Sequence, residues 1–366
     1  MSPPRVINSF FRHPSKLLHA AHIAGLIEHV IPPTPNMSSA EGAAWFAAEL
    51  PGASAAVVWP LQIPRFGARE LDIAGPQFRA VATYSVGHEH IDVEECRRRA
   101  VKVSTTPHIS DDAVANMTLL LLLMVMRRAT EHLDLVRAGG WPSYQTNIAS
   151  NPLFLTGQSV RGRTVGFYGM GRIAQKVVER LLPMGPDRIL YTVSQPRSFS
   201  AQTFPRLHAL VKTAYPDVRV QNEPDLLRLA EECDILICLT ALVPATRHSI
   251  GKQVFSRMKR HGILVNVSRG AVVDTEALVG ALQSDQIFGA ALDVLEGEPN
   301  IAMDHSLLDE SLRNRVVVFP HSSSAEEETR IEMAEVNARS ILLALDISLE
   351  ACGDTISPYG NLPAYL

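Results

Sequence analysis

No run of apolar residues in this chain is long enough to cross a bilayer. The longest, M-T-L-L-L-L-L-M-V-M from Met117 to Met126, has ten residues, against the roughly 20 that a hydrocarbon core requires. A buried helix is expected there. Basic residues are not in excess: 34 Lys and Arg stand against 38 Asp and Glu, a formal net charge of −4. With no Lys/Arg stripe either, nucleic acid is not an expected partner. Cysteine is scarce. Cys96, Cys233, Cys238 and Cys352 have no zinc-ligand spacing and no His beside the closest pair, so they read as reduced structural thiols. The first residues, M-S-P-P-R-V-I-N-S-F-F, hold no signal-peptide core, and the last, P-A-Y-L, match no retention or lipidation signal. A cytoplasmic location with no membrane partner is expected. No His/Asp/Glu cluster has metal-ligand spacing, and no G-x-S-x-G elbow surrounds Ser268.

What is present is a chain of 366 residues, 46% hydrophobic and 20% charged, an ordinary globular composition with length for two or three domains. Short apolar runs alternate with amphipathic stretches, as in parallel βαβ units. Strands are expected at 164–168, 189–193, 234–240, 263–267, 290–295 and 316–319, with helices at 173–182, 224–232 and 275–283. This predicts a doubly wound sheet of about six strands. A weaker series precedes it, with strands at 6–10, 55–58, 78–83 and 102–104, and helices at 15–27 and 40–50. A last long helix is expected at 325–345. The polar stretch 198–217 reads as an irregular insertion.

The segment Gly169-Met170-Gly171-Arg172-Ile173-Ala174 is a G-x-G-x-x-A that follows an apolar strand and opens a helix. That context points to dinucleotide binding. Gly169 allows the tight turn, Gly171 admits a pyrophosphate to the helix N-terminus, and Ala174 keeps helix and strand close. Arg172 and Ile173, the first helical residues, join the cofactor-binding set. About 20 residues on, where an acid would grip the ribose 2′-hydroxyl of NAD, the sequence T-V-S-Q-P-R offers Ser194 and Arg197 instead. Arg197 suits a 2′-phosphate, so NADP is the preferred cofactor and NAD the alternative.

Three later strands end in chemistry. One delivers Ser268-Arg269-Gly270, the next Glu296-Gly297-Glu298-Pro299, and the last Pro320-His321. Ligands of open α/β sheets bind outside those carboxyl ends. Arg269 can hold carboxylate and ketone oxygens with a planar fork. His321 has the chemistry to give a proton to the oxygen as hydride reaches its carbon. Glu298 would orient the ring and favour imidazolium. The set suits reduction of a 2-oxo acid.

Carried by N-V-S-R-G, L-D-V-L-E-G-E-P and P-H in this order, the sequence resembles the D-isomer-specific 2-hydroxyacid dehydrogenases, most of all their glyoxylate/hydroxypyruvate reductases. Supporting stretches are S-V-G-H-E-H-I-D, M-R-R-A-T-E-H, A-G-G-W-P-S-Y and Y-T-V-S-Q-P-R. The resemblance implies a Rossmann cofactor domain at 109–324 and a smaller, discontinuous, flavodoxin-like α/β substrate domain at 1–108 and 325–366. It implies that Arg269 binds and polarises substrate, that Glu298 pairs with His321, and that His321 is the acid/base. Val86 and Gly87 would offer N–H groups to the substrate carboxylate. Asp293 would contact the nicotinamide carboxamide, and Thr240, Val267 and Ser323 would line the cofactor cleft. Trp141 and Tyr144 would form an aromatic loop that reaches a partner's active site, which implies a homodimer. A helix at 112–128 would open the cofactor domain. Departures are Ser322-Ser323-Ser324 where the family has a glycine turn, Asn116 where Glu is common, and Ser194 in place of an arginine. His88 and His90 flank the carboxylate loop and read as solvated, as do His19, His22 and His29 on an exposed helix and its end. A dinucleotide-sensing corepressor of the same fold is the rival reading. A formate dehydrogenase is disfavoured, because that branch carries Gln at the Glu298 position.

Overall fold

The computed structural model describes residues 2–11, 15–35 and 37–352. The chain divides into two compact units, one formed by Met1–Ser110 with Ser324–Leu366, the other by Asp111–Ser323. Among the described residues no single helix is long and apolar enough to cross a membrane.

The first unit runs β1 (Arg5–Asn8), α1 (Lys16–Ile23), β2 (Glu28–Val30), α2 (Ser39–Glu49), β3 (Ala55–Val58), α3 (Ala68–Ala74), β4 (Ala80–Thr83), α4 (Val93–Arg98) and β5 (Lys102–Ser104). Its five strands are parallel, in the order β2-β1-β3-β4-β5. The central strands A-A-V-V and A-V-A-T are buried on both faces, as a parallel sheet between helices requires.

The second unit opens with α5 (Asp111–Met126), α6 (Ala129–Arg137) and α7 (Trp141–Ser150). It continues through β6 (Thr164–Tyr168), α8 (Arg172–Leu181), β7 (Arg188–Thr192), α9 (Pro205–Ala214), β8 (Arg219–Asn222), α10 (Leu226–Glu232) and β9 (Ile235–Cys238). It closes with α11 (Lys252–Arg257), β10 (Ile263–Asn266), α12 (Thr275–Gln283), β11 (Gly289–Leu292) and β12 (Val316–Val318). The chain then returns to the first unit, whose last long helix is α13 (Glu327–Ala344).

The second sheet is parallel, in the order β12-β11-β10-β9-β6-β7-β8. Alternate residues of each strand supply two cores: Ile235 and Ile237 join one, Leu236 and Cys238 the other, the period-two consequence of extended backbone. The apolar run at 117–126 lies in α5, where Leu121, Leu122 and Met126 are fully buried.

Three expectations differ from the structure. The sheet has seven strands rather than about six, because β8 (R-V-Q-N) is an edge strand with Arg219 and Gln221 exposed, so no apolar run marks it. The stretch at 198–217 is not an irregular insertion: it holds α9, which buries Leu207 and Val211. In the first unit β2 (E-H-V) is likewise a polar edge strand, and His29 lies on it rather than at a helix end.

Candidate active site

The tip of β10 is built around Asn266, which is buried at the strand's last position. Its Oδ1 accepts from Ser268 N (3.0 Å) and Ser268 Oγ (2.8 Å), and its Nδ2 donates to the Arg269 carbonyl (3.0 Å). One amide thus shapes the turn that carries Arg269. The next residue needs to be small. A Cβ on Gly270 would stand 2.1 Å from the Leu295 carbonyl carbon, so the Arg269 turn lies against the loop leaving β11. Glu298, on that loop, donates its N–H to Leu295 O (3.5 Å). Glu296 of the same loop is clamped by Arg247 (2.6 Å) and His248 (2.8 Å). Sequence reasoning passed over Asn266 and Glu296; their position inside the N-V-S-R-G and L-E-G-E-P motifs was the available signal.

β12 delivers the histidine. Phe319 N bonds Leu292 O (2.8 Å), and His321 N bonds the main-chain carbonyl of Asp293 (2.7 Å). His321 takes φ +51°, the left-handed region that a side chain rarely enters. Its Nδ1 meets Glu298 Oε2 at 3.0 Å. That carboxylate can only accept, so the ring carries its proton on Nδ1 in this bond and leaves Nε2 for another partner. The His321 side chain keeps 38% of its surface exposed and that of Glu298 22%, so a ligand can reach the ring.

Asp293 is 1% exposed and accepts from protein through both carboxylate oxygens. Its Oδ1 accepts from Ser322 N (2.8 Å); its Oδ2 accepts from Ser323 N (2.9 Å) and from the Ser323 hydroxyl. Main chain and carboxylate of one residue therefore hold the whole His321–Ser323 turn.

On the other side of the sheet's switch point, Gly169 has φ +100°, and a Cβ there would lie 2.7 Å from Leu239 O. Gly171 is the N-cap of α8 and offers no side-chain cap. No atom lies within 4 Å of the place its Cβ would take. Open space beside a helix start without a side-chain cap fits a pyrophosphate. Arg172 opens the helix, ion-paired to Asp111 (3.0 Å), and Ile173 follows it. Thr240 follows the tip of β9 and Val267, 8% exposed, that of β10. Ser194 and Arg197 are exposed beyond the tip of β7, where the Arg197 carbonyl accepts from Tyr191 Oη (2.6 Å). The acid beside them, Glu223 after β8, is buried and caps Asp225 N (3.1 Å).

In the first unit, Val86 and Gly87 follow β4. Thr83 Oγ1 bonds both Ser85 Oγ (2.9 Å) and His90 Nε2 (3.0 Å), so His90 braces this loop rather than being merely solvated. His88 is exposed. Trp141 and Tyr144 lie on α7: Trp141 is 63% exposed, while Tyr144 leans on His132 and Phe154.

A seven-stranded doubly wound sheet with an open glycine turn and a histidine–carboxylate pair at its carboxyl edge defines a nicotinamide-dependent oxidoreductase. A family model described as D-isomer specific 2-hydroxyacid dehydrogenase, NAD binding domain, matches residues 119–323. The chain belongs to that family, and it is an NAD(P)-dependent 2-hydroxyacid dehydrogenase. It is 37% identical over 275 residues to the glyoxylate reductase/hydroxypyruvate reductase of Mus musculus, covering 75% of this chain and 76% of that one. Among solved structures it matches a Thermus thermophilus protein with a TM-score of 0.78 and 33% identity, over 93% of this chain and 97% of that one. It also matches an NADPH-dependent glyoxylate/hydroxypyruvate reductase of Sinorhizobium meliloti, solved with NADP and malonate, with a TM-score of 0.70 and 29% identity over 92% of each chain.

Proposed function

We propose that the protein reduces small 2-oxo acids to D-2-hydroxy acids with NADPH, glyoxylate and hydroxypyruvate being the first candidates. The observation that carries the reading is the His321–Glu298 bond of 3.0 Å at the carboxyl edge of a dinucleotide-type sheet. When bound, the reduced nicotinamide supplies the hydride. Arg269 holds the substrate and draws electron density toward the carbonyl oxygen. The backbone N–H groups of Val86 and Gly87 take the substrate carboxylate. His321 gives the proton from Nε2, and Glu298 at Nδ1 fixes the ring and balances the imidazolium charge. Arg269 alone serves the carbonyl and His321 alone the proton, so the two losses differ in kind.

NADPH is preferred over NADH because Arg197 is exposed beyond β7 while the nearby acid, Glu223, is buried and already engaged. The relative from Sinorhizobium meliloti is named as NADPH-dependent. The four free, buried thiols suit a reducing compartment such as the cytoplasm. A homodimer is supported by α6 and α7, which among the described residues bury no side chain and expose Leu133, Val136 and Trp141.

The test is consumption of NADPH and NADH with a panel of 2-oxo acids. His321→Ala is expected to lose roughly 10²–10⁴-fold in kcat, the usual worth of a positioned general acid, with the affinity for NADPH kept. Arg269→Ala is expected to lose both kcat and substrate affinity. Near wild-type turnover by either variant rejects the assignment.

A further inference from the structure

The five strands of the first unit are parallel, so their following loops gather at one edge. Val86 and Gly87 stand there, after β4. Beside them the edge is aromatic. Phe10 and Phe11 follow β1, Pro35 and Met37 follow β2, and Trp59 follows β3; together they line a cavity of about 450 Å³. That lies within the size range of small-molecule pockets, roughly 300–1,000 Å³. The Phe10 ring stacks on Trp59 (centroids 5.6 Å apart, planes at 29°) and meets Tyr84 edge-on at 4.8 Å. Tyr84 is fixed in turn: its hydroxyl donates to the Arg330 carbonyl and the Arg330 guanidinium lies 5.7 Å from its ring centre. Only Ser85 separates Tyr84 from Val86. The aromatic cluster is therefore continuous with the loop that takes the carboxylate.

We infer that this cavity receives the side group of the substrate, and that the enzyme takes 2-oxo acids with an aryl or other large apolar side group. The inference rests on the reading of Val86 and Gly87 as the carboxylate cradle. In a 2-oxo acid the side group and the carboxylate are bonded to the same ketone carbon, so holding the carboxylate at the β4 tip keeps the side group close to that surface. Glyoxylate carries only hydrogen there and hydroxypyruvate a hydroxymethyl group. Neither covers half-exposed aromatic rings, whereas a phenyl ring does, with the offset and edge contacts such rings favour.

The experiment compares glyoxylate, hydroxypyruvate, pyruvate and phenylpyruvate as substrates of the full-length chain with NADPH and NADH. kcat/KM for phenylpyruvate is expected to exceed that for glyoxylate by about tenfold or more, through a lower KM, as burial of an aromatic group implies. Trp59→Ala and Phe11→Ala are expected to raise KM for phenylpyruvate about tenfold, and to cost far more with phenylpyruvate than with glyoxylate. Quenching of tryptophan fluorescence by phenylpyruvate in the complex with oxidised NADP, which has no hydride to give, reports the same binding without turnover. Turnover of glyoxylate with no turnover or binding of phenylpyruvate overturns the inference and leaves the proposed function standing. Good turnover of phenylpyruvate whose KM is unmoved in both folded variants also overturns it. Failure of every 2-oxo acid with either cofactor refutes the proposed function itself.

Discussion

His321 sits in a backbone conformation that costs a side-chain-bearing residue roughly 1–2 kcal/mol, and Asp293 is what holds it there. Asp293→Ala removes three hydrogen-bond acceptances at once and frees the turn. We expect kcat to fall at least tenfold, about 1.4 kcal/mol of transition-state stabilisation, while fluorescence titration shows NADPH affinity changing less. A direct bond from Asp293 to the nicotinamide carboxamide would give the opposite ranking. Gly270→Ala is expected to be worse than its size suggests, because the new methyl meets the Leu295 main chain; activity should drop with little change in the far-ultraviolet circular dichroism. The sequence made the reactive types readable, since Arg269, Glu298 and His321 each follow an apolar run within three residues. It could not show who holds them. Asp293 and Ser322 are 29 positions apart, and no local pattern links a buried carboxylate to a turn on another strand.

Elements were legible in proportion to how apolar they are. The β6 run T-V-G-F-Y and the α12 run T-E-A-L-V-G-A-L-Q lie where composition puts them, because burial on both faces, or on one stripe, leaves a pattern. β2 and β8 left none, because an edge strand keeps polar side chains. Their histidine and their neighbours still matter for stability. Burial, then the charges of His22 and His19, lower the pKa of His29 on β2 to about 4. The unfolded chain, with its ordinary histidine near 6.5, therefore binds this proton first. Stability is full above that value and is lost as pH falls from about 6.5 toward 4. His29→Gln should flatten that part of a urea-midpoint profile. Asp234, before β9, behaves differently. Burial would raise its carboxyl, but bonds from His261, Thr164 and Lys259 outweigh that and bring it to about 2. Its contribution is present above about pH 4 and lost below it. Asp234→Asn should cost about 1–2 kcal/mol at pH 6, after allowance for solvent screening, and only about a third of that at pH 2.5, because the loss is complete only below about pH 2.

At the scale of the molecule, α6 and α7 present apolar surface that a monomer would leave wet. Leu133→Glu together with Val136→Glu is expected to convert the proposed dimer to a monomer in light scattering after size exclusion. Catalysis should fall as well if Trp141 serves a neighbour's substrate. The unbroken stretch Asp111–Ser323 contrasts with a first unit assembled from both ends of the chain. In that unit Val6, Val57 and Ala80 share a core with Ile341 and Leu342 of α13. During synthesis its sheet must wait, one face covered only in part by α1, until more than two hundred further residues have emerged. The dinucleotide half has no such debt and can close first. A nascent chain halted after Ser323 should already resist protease across its cofactor half, and its opening hundred residues should be digested.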